Sequence, residues 1–277
     1  MPERGVHENL MLHDPQISTI LSKEDPHPVE LINRTGSSEF VLTCEHAGRA
    51  IAGGLGDLGL SADDMDRHIA WDIGAEGLSR ALAALLDAPL VLQRYSRLIV
   101  DCNRPFEATD CFPEVSDGTA IPANRSLSHA DRMRRFVEIH EPLHRTIGNL
   151  LDERARCGQP TVLVSVHSFT PVLAGVHRPW LLGALANRDA SFAQTFLQAF
   201  TARNAGISVA LNEPYTVDDM SDYTIPVHGE RRQLAHVLLE VRNDQIGEPT
   251  GQALWAQRLA DALREAADSL KETKYDS

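Results

Sequence analysis

The sequence predicts an α/β layer fold. Short β-branched or aliphatic runs alternate with segments of helical period, which is the pattern of strands covered by helices. The chain has 277 residues, 43% of them hydrophobic, enough for a sizeable core. Residues 28–277 contain no internal repeat and no linker, so they read as a single α/β domain behind a polar arm at 1–27.

The elements follow in order. The arm carries Pro15 and Pro26 among polar and charged residues. EFVLTCEH (39–46) is a buried-strand candidate. GAEGLSRALAALL (74–86) places Leu78, Leu82, Leu85 and Leu86 on one helical face. PLVLQRYSRLIVDCN (89–103) reads as one or two strands around a polar break. Ser128 suits the N-cap of a helix whose apolar face runs Met133, Phe136, Val137, Ile147, Leu150 and Leu151. TVLVSVHSF (161–169) is strongly β-branched. WLLGAL (180–185) and ISVALN (207–212) read as strands flanking the helix ASFAQTFLQAFTAR. HVLLEVRN (236–243) is another strand, and the last helix aligns Trp255, Leu259, Leu263 and Leu270.

The formal net charge of −13 argues against general binding to nucleic acid or anionic membrane, because the long-range field repels phosphate. An anionic substrate would need arginines to reverse that field locally. No apolar run reaches the ~18 residues of a membrane span, and the charged N-terminus lacks a signal-peptide core. Cys44, Cys102, Cys111 and Cys157 show no C-x-x-C spacing, which suits a reduced cytoplasmic protein. Homo-oligomerisation is left open.

Two motif matches are weak. HEPLH (140–144) fits the zinc pattern H-E-x-x-H, but Pro142 interrupts the helix and no third histidine follows at the required spacing. The expectation is a pair of partly buried, hydrogen-bonded histidines. GLGDLG (54–59) fits a dinucleotide fingerprint, yet the preceding strand ends near His46 and Asp57 would face the pyrophosphate. A turn is expected there.

Open α/β sheets place their sites beyond the carboxyl ends of the strands. Those ends supply Glu45 and His46, Arg97, Asp101 to Arg104, His167 and Ser168, and Glu240 to Asp244, with Asp72 ahead of a helix. Histidines, carboxylates and arginines gathered at one edge form a metal-hydrolase set.

TCEHAG, HIAWDIGA, YSRLIVDCNRP, VSVHSFTPVLAG, NEPY and LEVRND occur in this order over about 40–260. Together they resemble the N-formylglutamate amidohydrolases. The resemblance implies a three-layer, zinc-exopeptidase-like sandwich: a mixed, mostly parallel sheet with helices on both faces. It implies one zinc or other divalent ion held by His46 and His167, with Asp72 or Glu45 as third ligand, Asp72 being preferred. It further implies Glu240 as general base and Arg97, Arg104 and Arg178 as partners of a small anionic N-acyl amino acid, whose formyl amide is hydrolysed in histidine degradation. Asn103 and Ser168 would orient neighbours. The relatives' H-x-x-E pair is replaced by His46-Ala-Gly-Arg49. That departure keeps two alternatives open: a peptide or cell-wall amidase of the same fold, or a binding protein without the metal.

Overall fold

The computed structural model describes residues 19–275, with side chains as far as 271. The strands are β1 (Val29–Ile32), β2 (Phe40–Cys44), β3 (Leu90–Gln93), β4 (Val115–Ser116), β5 (Thr119–Ala120), β6 (Val162–Phe169), β7 (Val172–Leu173), β8 (Val176–His177), β9 (Leu182–Leu185), β10 (Val209–Leu211) and β11 (Ala235–Arg242). The α-helices are α1 (Ala62–Asp66), α2 (Ala75–Leu86), α3 (His129–Arg135), α4 (Glu141–Arg156), α5 (Ser191–Arg203) and α6 (Pro249–Tyr275).

A seven-stranded sheet runs in the order β1-β3-β2-β6-β11-β9-β10. The four neighbouring strands β3, β2, β6 and β11 are mutually parallel. β1 joins β3 and β9 joins β11 in the antiparallel sense, while β10 runs parallel to β9. The sheet is therefore mixed and mostly parallel, as expected. β4–β5 and β7–β8 are separate small hairpins.

Alternation along the strands divides the interior into two layers. Phe40, Leu42, Val164, Val166, Val237 and Leu239 point to one face, where α2, α5 and α6 cover them with Leu78, Phe196, Phe200, Trp255 and Leu259. Val41, Val91 and Leu163 point to the other, against Leu143, Ile147 and Leu151 of α4. On this second face the strands change character toward their carboxyl ends. Leu163 gives way to Ser165 and His167, and Val41 to Thr43; all of these are buried. The apolar layer thus becomes a polar floor over a few residues.

Several sequence expectations change. LIVDCN is not a strand: after β3 the chain turns, with Tyr95 making an isolated bridge to Ala50; Ser96 Oγ accepts from Leu98 N–H, and Asn124 and Arg135 donate to the carbonyls of Leu98 and Ile99. Ser128 does cap α3, accepting from Asp131 N–H at 3.1 Å. Between α3 and α4 a π-turn spans Phe136–His140, and Pro142 is the second residue of the helix that follows it. A proline ring collides with the carbonyl four residues back in a regular helix, and the wider turn relieves this. The turn also rotates Val137 off the apolar stripe and into solvent. Residues 19–27 lie on the surface, where Ile20 and Leu21 N–H donate to Glu138 at 3.0–3.1 Å; residues 1–18 of the arm lie outside the described residues. Among the described residues no helix is long and apolar enough to cross a membrane.

Candidate metal centre and active-site cavity

His46 stands two residues past the end of β2, and its carbonyl accepts from Asp72 N–H at 2.9 Å, which brings the HIAWD segment beside the strand end. Gly48 lets the chain after His46 run against the residues that follow β3: a Cβ there would sit 2.0 Å from the Arg94 carbonyl oxygen. Asp72 is not the N-cap of α2; that position belongs to Gly74. Its side chain turns inward instead, accepting from His167 Nδ1 at 2.8 Å and from Ser168 N–H at 3.2 Å.

His46, Asp72 and His167 are all buried, and their ligand atoms lie within 4.8 Å of one another. Each ring is anchored at its far nitrogen. His46 Nε2–H donates to Asp101 Oδ1 at 2.7 Å. His167 Nε2 lies 3.0 Å from Glu45 Oε2 and 2.9 Å from Ser165 Oγ. Both Nδ1 atoms consequently face Asp72. His46 Nδ1 is buried without a hydrogen-bond partner, 3.5 Å from Asp72 Oδ2. An orphaned imidazole nitrogen beside a carboxylate and a second imidazole, each ring fixed from behind by a carboxylate, is a donor set that suits a divalent ion such as zinc.

Glu45, the alternative third ligand, is otherwise engaged. Its carboxylate accepts from Thr224 Oγ1 at 2.7 Å and Ser165 Oγ at 2.8 Å, beneath His167. Burial opposes its charge, but His167 outweighs burial and holds the carboxyl below the usual range. In Asp72, burial is likewise overcome, by His46 and then His167. Asp101 is kept ionised against burial chiefly by Arg97. His167 loses from burial but gains more from Asp72 and Glu45, so its imidazolium is favoured well above the ordinary range.

The cluster opens into a cavity of about 460 Å³. Arg97, Arg104, Tyr215, Asp222 and Glu240 line it together with the apolar side chains of Leu185, Val217 and Leu238. Glu240 stands opposite His167 in the β6–β11 register. Its Oε2 has no hydrogen-bond partner, and burial, reinforced by Asp72, pushes its carboxyl up to about 8.

The three arginines differ. Arg97 gives Nε and Nη2 to Asp101 at 2.9 and 2.6 Å and Nη1 to Asp72 at 3.3 Å, so it organises the cluster rather than facing a ligand alone. Arg104 pairs with Asp110 at 2.8 Å and donates Nη1 to the carbonyls of Asn103 and Ser221. Among the described residues its Nη2 group has no hydrogen-bond partner. Arg178 is not on the cavity lining. It donates to Tyr215 OH at 2.8 Å and packs over the rings of Tyr215 and Phe169.

Sequence reasoning assigned no role to Asp101, Thr224 or Asp222. Asp222 is buried on the cavity wall, its carboxyl pushed up to about 6 mainly by burial, and it accepts from Asn103 Nδ2 at 2.7 Å. Asp101 is visible at the end of SRLIVD; Asp222 sits in a loop without periodicity, and Thr224 is the N-cap residue of the short π-helical turn Ile225–Glu230 that follows it. HEPLH holds none of the clustered ligands, and GLGDLG forms a turn at Gly53–Leu55 and the residues after it.

Residues 38–247 match the sequence profile of the N-formylglutamate amidohydrolase family. Among solved structures, gene product Atu2144 from Agrobacterium tumefaciens is 35% identical with a TM-score of 0.88, covering 91% of this chain and 99% of that one. N-formylglutamate amidohydrolase from Ralstonia eutropha JMP134 shares the fold at a TM-score of 0.63 and 16% identity, over 89% of this chain and 100% of that one. Comparison with curated proteins finds no match. With a profile match spanning most of its length, the chain belongs to the N-formylglutamate amidohydrolase family and is a hydrolase of the amidohydrolase kind.

Proposed function

We propose that the protein is a zinc-dependent hydrolase that releases formate, or a similar small acid, from an N-acyl amino acid such as N-formylglutamate. The observation that carries this reading is the orphaned His46 Nδ1, which shares Asp72 with His167 on the floor of a cavity walled by Glu240. His46, Asp72 and His167 would hold the ion. When bound, a divalent ion supplies Lewis acidity, acidifying water and polarising an amide carbonyl.

Glu240 is the general base. Its unpartnered Oε2 accepts a proton from water as the acyl carbon is attacked. The same carboxyl then delivers that proton to the departing nitrogen, so the amine leaves neutral. Asp72 is one of the two leading causes of Glu240's raised affinity for protons, so ligation of Asp72 favours the ionised base. Arg104, with Nη2 donors left over, receives a substrate carboxylate. A cavity of about 460 Å³ suits a small molecule better than a polymer strand.

The test is formate release from N-formylglutamate by protein stripped of metal and then reloaded with zinc. Turnover should vanish on stripping and return with one equivalent of zinc. No metal-dependent turnover on any N-acyl amino acid would overturn the reading.

A further inference from the structure

The HEPLH histidines are buried, face the active site from behind, and take no part in the metal cluster. His144 Nε2 lies 2.7 Å from the Cys102 carbonyl oxygen, and His140 Nε2 lies 2.9 Å from that of Arg104. A carbonyl only accepts, so both rings carry their proton on Nε2. The two acceptors flank Asn103. Asp101, Asn103 and Arg104 form a tight turn, closed internally by Asn103 N–H to Asp101 Oδ1 at 2.9 Å and Arg104 N–H to Asp101 O at 3.2 Å. That turn presents Asp101 to His46, and Asn103 and Arg104 to the cavity.

We propose that His140 and His144 are positioning residues, a two-point clamp that fixes the 101–104 turn and so sets both the His46 anchor and the carboxylate-binding wall. The helical spacing of four aligns the two rings, and surrounding groups hold them in place. His140 stacks on Phe136 with ring centres 3.8 Å apart, and Tyr223 meets both imidazoles at 4.9 and 4.3 Å. His144 Nδ1, left as an acceptor, receives Nε2–H of His228 at 3.1 Å. Burial keeps all three rings neutral: His144 is pushed down to about 4, His228 to about 3, and His140 well below its ordinary value. The clamp therefore persists through neutral pH.

The consequence for zinc rests on the metal reading above. In His140→Ala and His144→Ala proteins that retain the wild-type circular dichroism spectrum, zinc stoichiometry stays at one. Affinity, measured by chelator competition with zinc alone, falls roughly tenfold, the lower end of the loss for outer-shell partners. KM for N-formylglutamate rises more than kcat falls. A glutamine amide places N–H near the Nε2 position and an asparagine amide near Nδ1, so the glutamine variants recover most of the loss and the asparagine variants do not. Wild-type zinc affinity and KM in the folded alanine variants would overturn the clamp.

A second measurement needs no variant. Long-range ¹H–¹⁵N spectra of the wild-type protein should show both rings as neutral Nε2–H tautomers at pH 7. An Nδ1–H tautomer or an imidazolium at either position would overturn it, even if every alanine variant fails to fold. Wild-type protein that takes up no zinc would sink the metal reading, while the ring tautomers still judge the clamp.

Discussion

Two imidazoles converge on Asp72 because each has its outer nitrogen tied to a different carboxylate, Asp101 for His46 and Glu45 for His167. On the metal reading proposed above each ring is a ligand, so His46→Ala and His167→Ala should each abolish stoichiometric zinc uptake, read by elemental analysis after dialysis. Asp101→Asn keeps the ligand but weakens its anchor, and should cost roughly 10–100-fold in zinc affinity. Glu240→Gln should leave zinc content unchanged and lower kcat by about 10²–10⁴, the usual worth of a positioned acid–base group. Wild-type kcat in that variant would assign the base elsewhere. At this scale the members of the candidate site are legible where they lie close to the carboxyl end of a strand, as His46, His167 and Glu240 do. The partners of Arg97 are brought to it by the fold: nothing in YSRL shows that Asp72 will lie 3.3 Å away from a side chain that also lines the cavity.

The central strands were legible because their aliphatic runs are long and β-branched. β1 and the two hairpins were not, since VELI is only four residues long and the hairpin strands have two each. LIV after Ser96 misled for the opposite reason: it is apolar because it is buried in the α4-side core, not because it is extended. Gly183 shows how an element's composition can serve the site. It pairs with Glu240 across β9 and β11, and a Cβ there would lie 1.9 Å from the Glu213 carbonyl oxygen and 3.5 Å from Glu240 Cβ. Gly183→Ala must displace the 213–217 wall of the cavity. It should destabilise the fold by about 1–3 kcal/mol, as overpacking does, and raise KM. Thermal denaturation and steady-state kinetics check both; an unchanged KM would mean that the wall yields without affecting the substrate.

Across the whole molecule, buried titratable groups link stability to pH in opposing senses. His144 has a depressed value in the fold, about 4 against an ordinary 6.5, caused mainly by burial. Above pH 6.5 it is neutral in both states and has no effect. As pH falls below 6.5 the unfolded chain takes up a proton that the folded chain refuses, so stability is lost until about pH 4. Glu240 and Asp222, both raised by burial, act the other way and stabilise the fold as pH falls toward the ordinary carboxyl range. The His144 share is isolated by comparison with His144→Gln, in which the two acids remain. From pH 7 to pH 5 the wild-type protein should lose about 2 kcal/mol more than the variant, measured by urea unfolding; equal losses would show that His144 protonates freely in the fold.

The alternation along β6 has a further consequence. Val164 and Val166 seal one layer while Ser165 and His167 furnish the other, so chemistry and packing are written on opposite sides of a single thread. Inserting one residue in that strand would exchange the two sides, sending an imidazole among the phenylalanines of α5 and a valine toward Asp72. The protein therefore has no intermediate condition in which it packs correctly yet holds a misassembled centre through a shifted strand. Errors of alignment abolish both together.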